Sequence, residues 1–387
     1  MTTESVLFAL LRKEICGETV SQNITDQISA QMLEELYSLS HLHDLSHLVG
    51  HALSELGVLG QNETSKKFQE DFVNAVSRYV RMTHELYSVC STLEAAGIPH
   101  MPLKGSLIRN WYPEPWMRTC TDIDVLVKKQ DVEKAAEILC EKMSYMQSKV
   151  ATCDISLFTP IGVHLELHFD LIENAVSQIQ GQILGRIWDV AEPVKGFSYQ
   201  YKMPDEWFRF YHIAHMAKHV TSGGCGIRPF LDLWIMDRKV MQDWQNQTAL
   251  LAEGKLTAFA RVAKELSEHW FSQTAVNEPG QMLADFVLSG GKHGKDKNKL
   301  MVKRVRRGGR LQYALYRIFK PYSSLKQMYP ILEKHRWLMP FCQIHRWFGV
   351  IFDKEKAAIS IREMKMNASA TEEETNFVSQ MLEKLEL

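Results

Sequence analysis

The chain has 387 residues, 46 acidic and 45 basic side chains, and a formal net charge of −1. That length supplies two or three domains and a substantial core, and the near balance of charge predicts neither a nucleic-acid coat nor a membrane surface for the protein as a whole. Seven scattered cysteines, odd in number and without a CxxC pair, exclude a disulfide framework or a cysteine-built zinc site and predict free thiols in a reducing cytoplasm.

From the first residue, MTTESVLFALLRKEI lacks a basic leader and meets Arg12 too soon for a signal peptide. No apolar run approaches the roughly 18 residues that a spanning helix needs, so no membrane partner is expected. Residues 1–97 read as a helical region. In it Phe68, Phe72, Val76, Tyr79, Val80, Leu86, Val89, Cys90 and Leu93 hold mostly helical spacing up to a stop at Gly97. Residues 98–170 mix strands and helices. Ile98 to Leu103 is extended, and Ser106 to Trp111 opens a helix that Pro113 and Pro115 break. Asp122-Ile123-Asp124-Val125-Leu126-Val127 is a strand. Asp131 is the expected N-cap of a helix whose Val132, Ala135, Leu139 and Met143 share a face. The segments around Ser156 and Glu166, joined through Pro160-Ile161-Gly162, form an antiparallel hairpin. Residues 171–290 return to helix, starting one at Pro204-Asp205-Glu206 and another at Pro229 that runs to Trp244. From 291 a basic, glycine-rich break precedes aromatic-rich C-terminal helices that carry His335-Arg336-Trp337 and His345-Arg346-Trp347, and the tail from Asn367 is either a solvated helix or frayed.

Chemistry concentrates in the second region. Side chains alternate across a strand, so Asp122 and Asp124 leave one face together, and Glu166 leaves the polar face of its own strand with His164 and His168. If the two strands pair, three carboxylates converge. Two like charges about 4 Å apart repel by roughly 4 kcal/mol at an effective dielectric near 20, so such a gathering implies a divalent cation between them. Mg²⁺, or Mn²⁺, suits a few carboxylates completed by water and phosphate oxygens, and two ions would clamp an in-line displacement at phosphorus. By the same repulsion, Asn at Asp122 or Asp124 should spare the fold or stabilise it slightly.

Lys104-Gly105-Ser106 is either a phosphate-binding helix start or an ordinary turn with Ser106 as N-cap. Arg118 clamps a phosphate or pairs with a surface acid. His212, His215 and His219 share a helical face, but no carboxylate or cysteine at usual spacing completes a zinc site. The nine Lys or Arg between Lys292 and Arg310 stand against Asp296 alone, yet lack interleaved aromatics, so nucleic acid is not favoured.

These motifs resemble the uncharacterised nucleotidyltransferase family of the DNA polymerase β superfamily. The matching stretches are Pro102-Leu103-Lys104-Gly105, Arg118 before Asp122-Ile123-Asp124, and Leu165-Glu166-Leu167-His168. They continue through His215-Met216-Ala217-Lys218-His219, Gly226-Ile227-Arg228, Asp232, Phe319-Lys320-Pro321 and Tyr329-Pro330. One departure is the spacing. Sixteen residues separate Gly105 from Asp122, whereas a Gly-Ser pair usually precedes the acids more closely in the superfamily.

The resemblance implies an α+β fold, a small polymerase-β-like mixed-sheet module embedded in a mostly helical chain. It also implies an enzyme that moves a nucleotidyl group from an NTP to a hydroxyl acceptor, be it protein, RNA or small molecule. Asp122, Asp124 and Glu166 would hold the metals and do the chemistry, and Lys104, Gly105, Ser106 and Arg118 would bind nucleotide. Lys218, His219, Arg228 and Asp232 would wall the cleft towards the acceptor. The alternatives are a nucleotide-binding protein without catalysis and a metal-dependent phosphohydrolase.

Overall fold

The structure is a computed structural model that describes residues 1–172, 178–239, 244–291, 294 and 296–387. Its longest element, helix Glu63–Ala95, begins where extended Asn62 accepts the Ser65 amide through its side chain. Phe68, Ala75, Met82 and Val89 are buried at seven-residue intervals along one stripe. Val80 sits about 140° around the helix from Ala75 and is 60% exposed, so it leaves the stripe on which its spacing had placed it. Gly97, at φ 69°, follows the helix end as expected.

Five strands form one mixed sheet: β1 (His100–Pro102), β2 (Ile123–Val127), β3 (Met146–Val150), β4 (Asp154–Phe158) and β5 (His164–His168), in the order β1-β2-β5-β4-β3. Only β2 and β5 run parallel; the other neighbours are antiparallel. The architecture is therefore the α+β one that the resemblance implied. The β4–β5 hairpin closes through Gly162, at φ 80°, and a Thr159–Val163 backbone bond. Strand β3 was not foreseen. Its five residues are all exposed, so no buried face imposes an alternating pattern, and its pairing shifts register between Gln147 and Lys149.

One face of the sheet is apolar. Ile123, Val125, Val127, Leu165 and Leu167 pack with Val132, Ala135 and Leu139 of helix Val132–Met143 and with Met82, Val89 and Leu93 of the long helix. Asp131 ends a 3₁₀ turn before that helix and makes no side-chain capping bond, because its backbone is already turned rather than extended. The opposite face carries Asp124, Glu166 and His168 towards helix Asp205–Val220. Further along that face Leu126 joins Met101 in a larger core built mainly by helices Asp205–Val220, Arg228–Lys239, Thr257–Ser272 and Glu278–Gly290. The helix expected from Pro229 to Trp244 is present over Arg228–Lys239, and residues 240–243 of that expectation lie outside the described residues.

The basic break is shorter than its composition suggests. Asp296–Arg306 is a helix that buries Leu300, Met301, Val302 and the entire side chain of Arg304, whose guanidinium donates to the Ala370 carbonyl and to Glu372. The tail is not frayed. Thr371 and Glu374 form a capping box for helix Glu372–Lys384, which buries Thr375, Val378, Met381 and Leu382. Many charges between the apolar positions hid the first of these helices in the sequence, whereas the second is the helical one of the two readings given for the tail.

Leu167 is fully buried between the sheet and its helices. Leu167→Ala should lower unfolding free energy by about 2–5 kcal/mol in urea titration, whereas Val80→Ala should change it by no more than roughly 0.5 kcal/mol.

Candidate active site

The parallel pairing of β2 with β5 sets Asp124 directly beside Glu166, with Ile123 beside Leu165 and Val125 beside Leu167. Neighbours in such a ladder point to the same side, so two carboxylates meet on the polar face. Asp122, two residues before Asp124, joins them from the mouth of β2. Ligand atoms of Asp122, His164 and Glu166 lie within 4.8 Å of one another, as do those of Asp124, Glu166 and His168. Rather than one shell of three carboxylates, the strands present two adjoining triads that share Glu166. Each triad contains an imidazole from β5.

Charge compensation in the two triads differs. Asp124 is 5% exposed and takes the Lys104 ammonium at 2.7 Å and His168 Nε2 at 2.8 Å on the same oxygen, Oδ1. Burial opposes its charge, but Lys104 and His168 outweigh burial and hold the carboxyl far below the usual range. Lys104 is raised in turn: burial works against the ammonium and the Asp124 carboxylate overrides it. Burial also opposes protonation of His168, yet bonds to Asp124 and Glu166 lift it above the ordinary imidazole value. The His168 bond, at 3.3 Å, lowers Glu166. Asp122 moves the other way. Burial, then the Asp124 and Glu166 charges, raise it.

The turn after β1 delivers Lys104. Its φ of 47° and ψ of −127° lie in a region that L residues rarely adopt, and its carbonyl accepts the Leu107 and Ile108 amides of helix Gly105–Ile108. Gly105 is demanded by space. A Cβ there would come 2.3 Å from Cys120 Sγ and 3.2 Å from Arg118 Nη1. Ser106 is buried within the short helix rather than at its cap, which is Lys104.

A cavity of about 290 Å³ opens over the triads, lined by Lys104, Gly105, Arg118, Asp122, Asp124, Glu166, His219, Arg228 and Asp232, among others. Nine of the eleven positions singled out in the sequence thus come together; Ser106 and Lys218 do not line it. Arg118 spans its far wall by a two-pronged bond to Asp232, with Nε–Oδ1 at 2.8 Å and Nη2–Oδ2 at 2.9 Å, and Tyr112 donates to the same carboxylate at 2.7 Å. Burial disfavours the Asp232 charge, but Arg118 prevails and lowers its pKa. Arg228 bonds Asp44 and the Thr119 carbonyl. Asp44, Tyr112 and Thr119 escaped the sequence reading, since partners up to 184 residues apart leave no local signal. On the helical wall His212 donates to the Pro229 carbonyl at 2.8 Å, and the His215 and His219 rings meet edge to face. Burial, then His219 and Lys104, drive His215 well below its ordinary value, so it is neutral near pH 7.

The model of a family described as uncharacterised nucleotidyltransferase matches residues 29–272. The chain belongs to that family. The match runs through the sheet, both triads and the helical wall, so this nucleotidyltransferase family includes the whole cleft. Neither the curated proteins nor the solved structures provide a match.

Because Asp122 is raised and Asp124 lowered, their amide variants should part company. At pH 7, Asp122→Asn should raise the melting temperature, as repulsion is relieved. Asp124→Asn should lower stability by about 3 kcal/mol, because Lys104 loses its carboxylate. The repulsion argument drawn from the sequence is therefore expected to apply to Asp122 and to be outweighed at Asp124 by Lys104 and His168. A second expectation concerns acid. A depressed Asp232 contributes stability above its unfolded pKa near 3.9, and that contribution is lost as pH falls through the lower folded value. Asp232→Asn should cost roughly 3–5 kcal/mol at pH 7 and flatten the fall in stability below about pH 4, read from urea titrations across pH.

Proposed function

We propose that this nucleotidyltransferase transfers a nucleotidyl group from an NTP to a hydroxyl acceptor, and that it does so in the cleft over Asp122, Asp124 and Glu166. The observation that carries the reading is the pairing of Asp124 with Glu166 across parallel strands, with Lys104 at the same edge.

The donor set fits a hard divalent cation. Three carboxylates stand beside one ammonium, and His164 Nε2, in the same triad as Asp122 and Glu166, is buried without a hydrogen-bond partner among the described residues. Asp122, Asp124 and Glu166 would hold Mg²⁺ or, given the imidazoles, Mn²⁺. Bound there, the metal would supply Lewis-acid stabilisation of the phosphoryl oxygens and leaving pyrophosphate.

The remaining work falls to the chain. Lys104 balances Asp124 in the free protein and would turn its charge to the nucleotide phosphates when a cation takes over that carboxylate. Gly105, whose Cβ position is filled by Cys120 and Arg118, would keep the turn that carries Lys104 packed against the wall. Glu166, lowered and therefore ionised at neutral pH, is placed to accept the proton of the acceptor hydroxyl. Arg118 is already committed to Asp232, so its role is to fix the wall and lend positive potential rather than to swing onto a phosphate. His219 and Arg228, which line the cavity, would meet the acceptor, with Asp232 held by Arg118.

Incubation with each α-labelled NTP, Mg²⁺ or Mn²⁺ and cell extract should transfer label to a discrete band. Asp122→Asn should abolish transfer, and Lys104→Ala should weaken NTP binding more than Lys104→Arg does. Free labelled nucleotide without any acceptor would make the protein a phosphohydrolase. Binding without turnover would make it a carrier.

A further inference from the structure

Beyond the family-matched segment, helix Met339–Phe352 is turned inside out. Its sequence is almost wholly apolar, yet among its residues only Cys342 and Gln343 are buried. Phe341, Ile344, Phe348, Ile351 and Phe352 fall within an arc of about 100°, and their exposures run from 45% to 77%. In an ordinary globular protein that stripe faces the core. Here Gln343, Arg346 and Trp347 tie the other side to the Ile318 carbonyl, at 2.5–2.8 Å, and fix the apolar stripe outward. Trp337, 69% exposed, extends the stripe against Phe341, and Phe319 extends it against Trp347. A patch of this size on a soluble protein is an interaction surface.

Its charge selects the partner. Residues 310–352 contain seven Lys or Arg and a single acid, Glu333, in a chain whose net charge is −1. The overall neutrality thus conceals a local cationic field. Lys334 and Arg336 are exposed next to Trp337, so the first His-Arg-Trp string sets cations at the edge of the aromatic stripe. A second copy of the chain would bring the same positive charge to a twofold contact and be repelled. Trp and Phe beside Lys and Arg on one exposed helical face is the composition of an element that lies in the headgroup layer of an anionic membrane. No described helix is long and apolar enough to cross a bilayer, which leaves contact with its surface.

We propose that the surface built around helix Met339–Phe352 docks on the face of an anionic lipid bilayer, with Phe341, Phe348 and Ile351 entering the interface and Lys334 and Arg336 meeting the headgroups.

Co-sedimentation of the full chain with phosphatidylcholine vesicles, with and without phosphatidylglycerol, tests this. At low salt the protein should bind the anionic vesicles at least about tenfold better, and salt should release it. The double variant Phe348→Ser/Ile351→Ser should cut binding roughly tenfold, and so should Lys334→Gln/Arg336→Gln. Because all four side chains are exposed, circular dichroism should be unchanged. Vesicles should also shift tryptophan emission to the blue, less so in Trp337→Phe. Equal and weak binding to both vesicle types would overturn the proposal, as would anionic binding that either double variant leaves intact. A dimer in solution that Phe348→Ser/Ile351→Ser dissociates, without lipid binding by the parent chain, would assign the patch to self-association instead. Retention on polyglutamate without vesicle binding would assign it to an acidic protein. Either result also overturns the lipid reading.

Discussion

Parallel pairing of β2 with β5 is the constraint on which the rest of the cleft depends. A slip of one residue would send every side chain of β5 to the opposite face, exchanging Glu166 and His168 for Leu165 and Leu167. Glu166 would then enter the core against helix Val132–Met143 together with the β5 histidines, and leucines would line the cleft. The register is held from below by Ile123, Val125, Leu165 and Leu167, all fully buried. Apolar packing on one face of the sheet therefore fixes electrostatics on the other. The carboxylates remain close because the energy of that core exceeds their repulsion, which Lys104 and His168 already reduce.

The wall opposite is assembled on a different principle. Asp232 is 1% exposed and receives Arg118 and Tyr112, while Arg228 meets Asp44 and Thr119. These bonds join the N-terminal helices, the segment before β2 and the helix Arg228–Lys239. Each buried charge has a partner from another part of the chain, so the wall forms only when all three are docked. This gives Arg118, Arg228 and Asp232 a positioning role that is plain in the structure, whatever they also contribute towards a substrate.

Legibility in the sequence followed the range of the interaction. Strand parity alone set Asp122 with Asp124 on one face of their strand and Glu166 with His164 and His168 on one face of theirs, because a period of two is local; that the two faces coincide depends on the long-range pairing of β2 with β5. Gly105 was singled out as part of a phosphate loop, but the reason for its lack of a side chain, Cys120 and Arg118 pressed against it, arises from tertiary contact. Arg118 had two readings, phosphate or acid, and nothing nearby favoured Asp232 over any other carboxylate. Strand β3 and the helix Asp296–Arg306 were obscured for a simpler reason: their solvent faces outnumber their buried ones, and composition reports the majority. The outward face of helix Met339–Phe352 was not legible for another reason, since periodicity says that a face is apolar and not which way it points.

Helix Glu63–Ala95 carries a consequence for how the molecule holds together. At about 1.5 Å per residue its 33 residues extend roughly 50 Å. Phe68 is embedded in the larger core, and Met82, Val89 and Leu93 in the smaller one beneath the sheet. The helix is thus a common rafter rather than a connector. Neither core can open fully without stripping apolar surface from a rod that the other still grips, so the two are coupled in unfolding although their clusters are separate. Sharing one rod, the two cores also share its burial, and the sheet that carries the carboxylates rests through Met82, Val89 and Leu93 on a helix anchored at Phe68 in the other core.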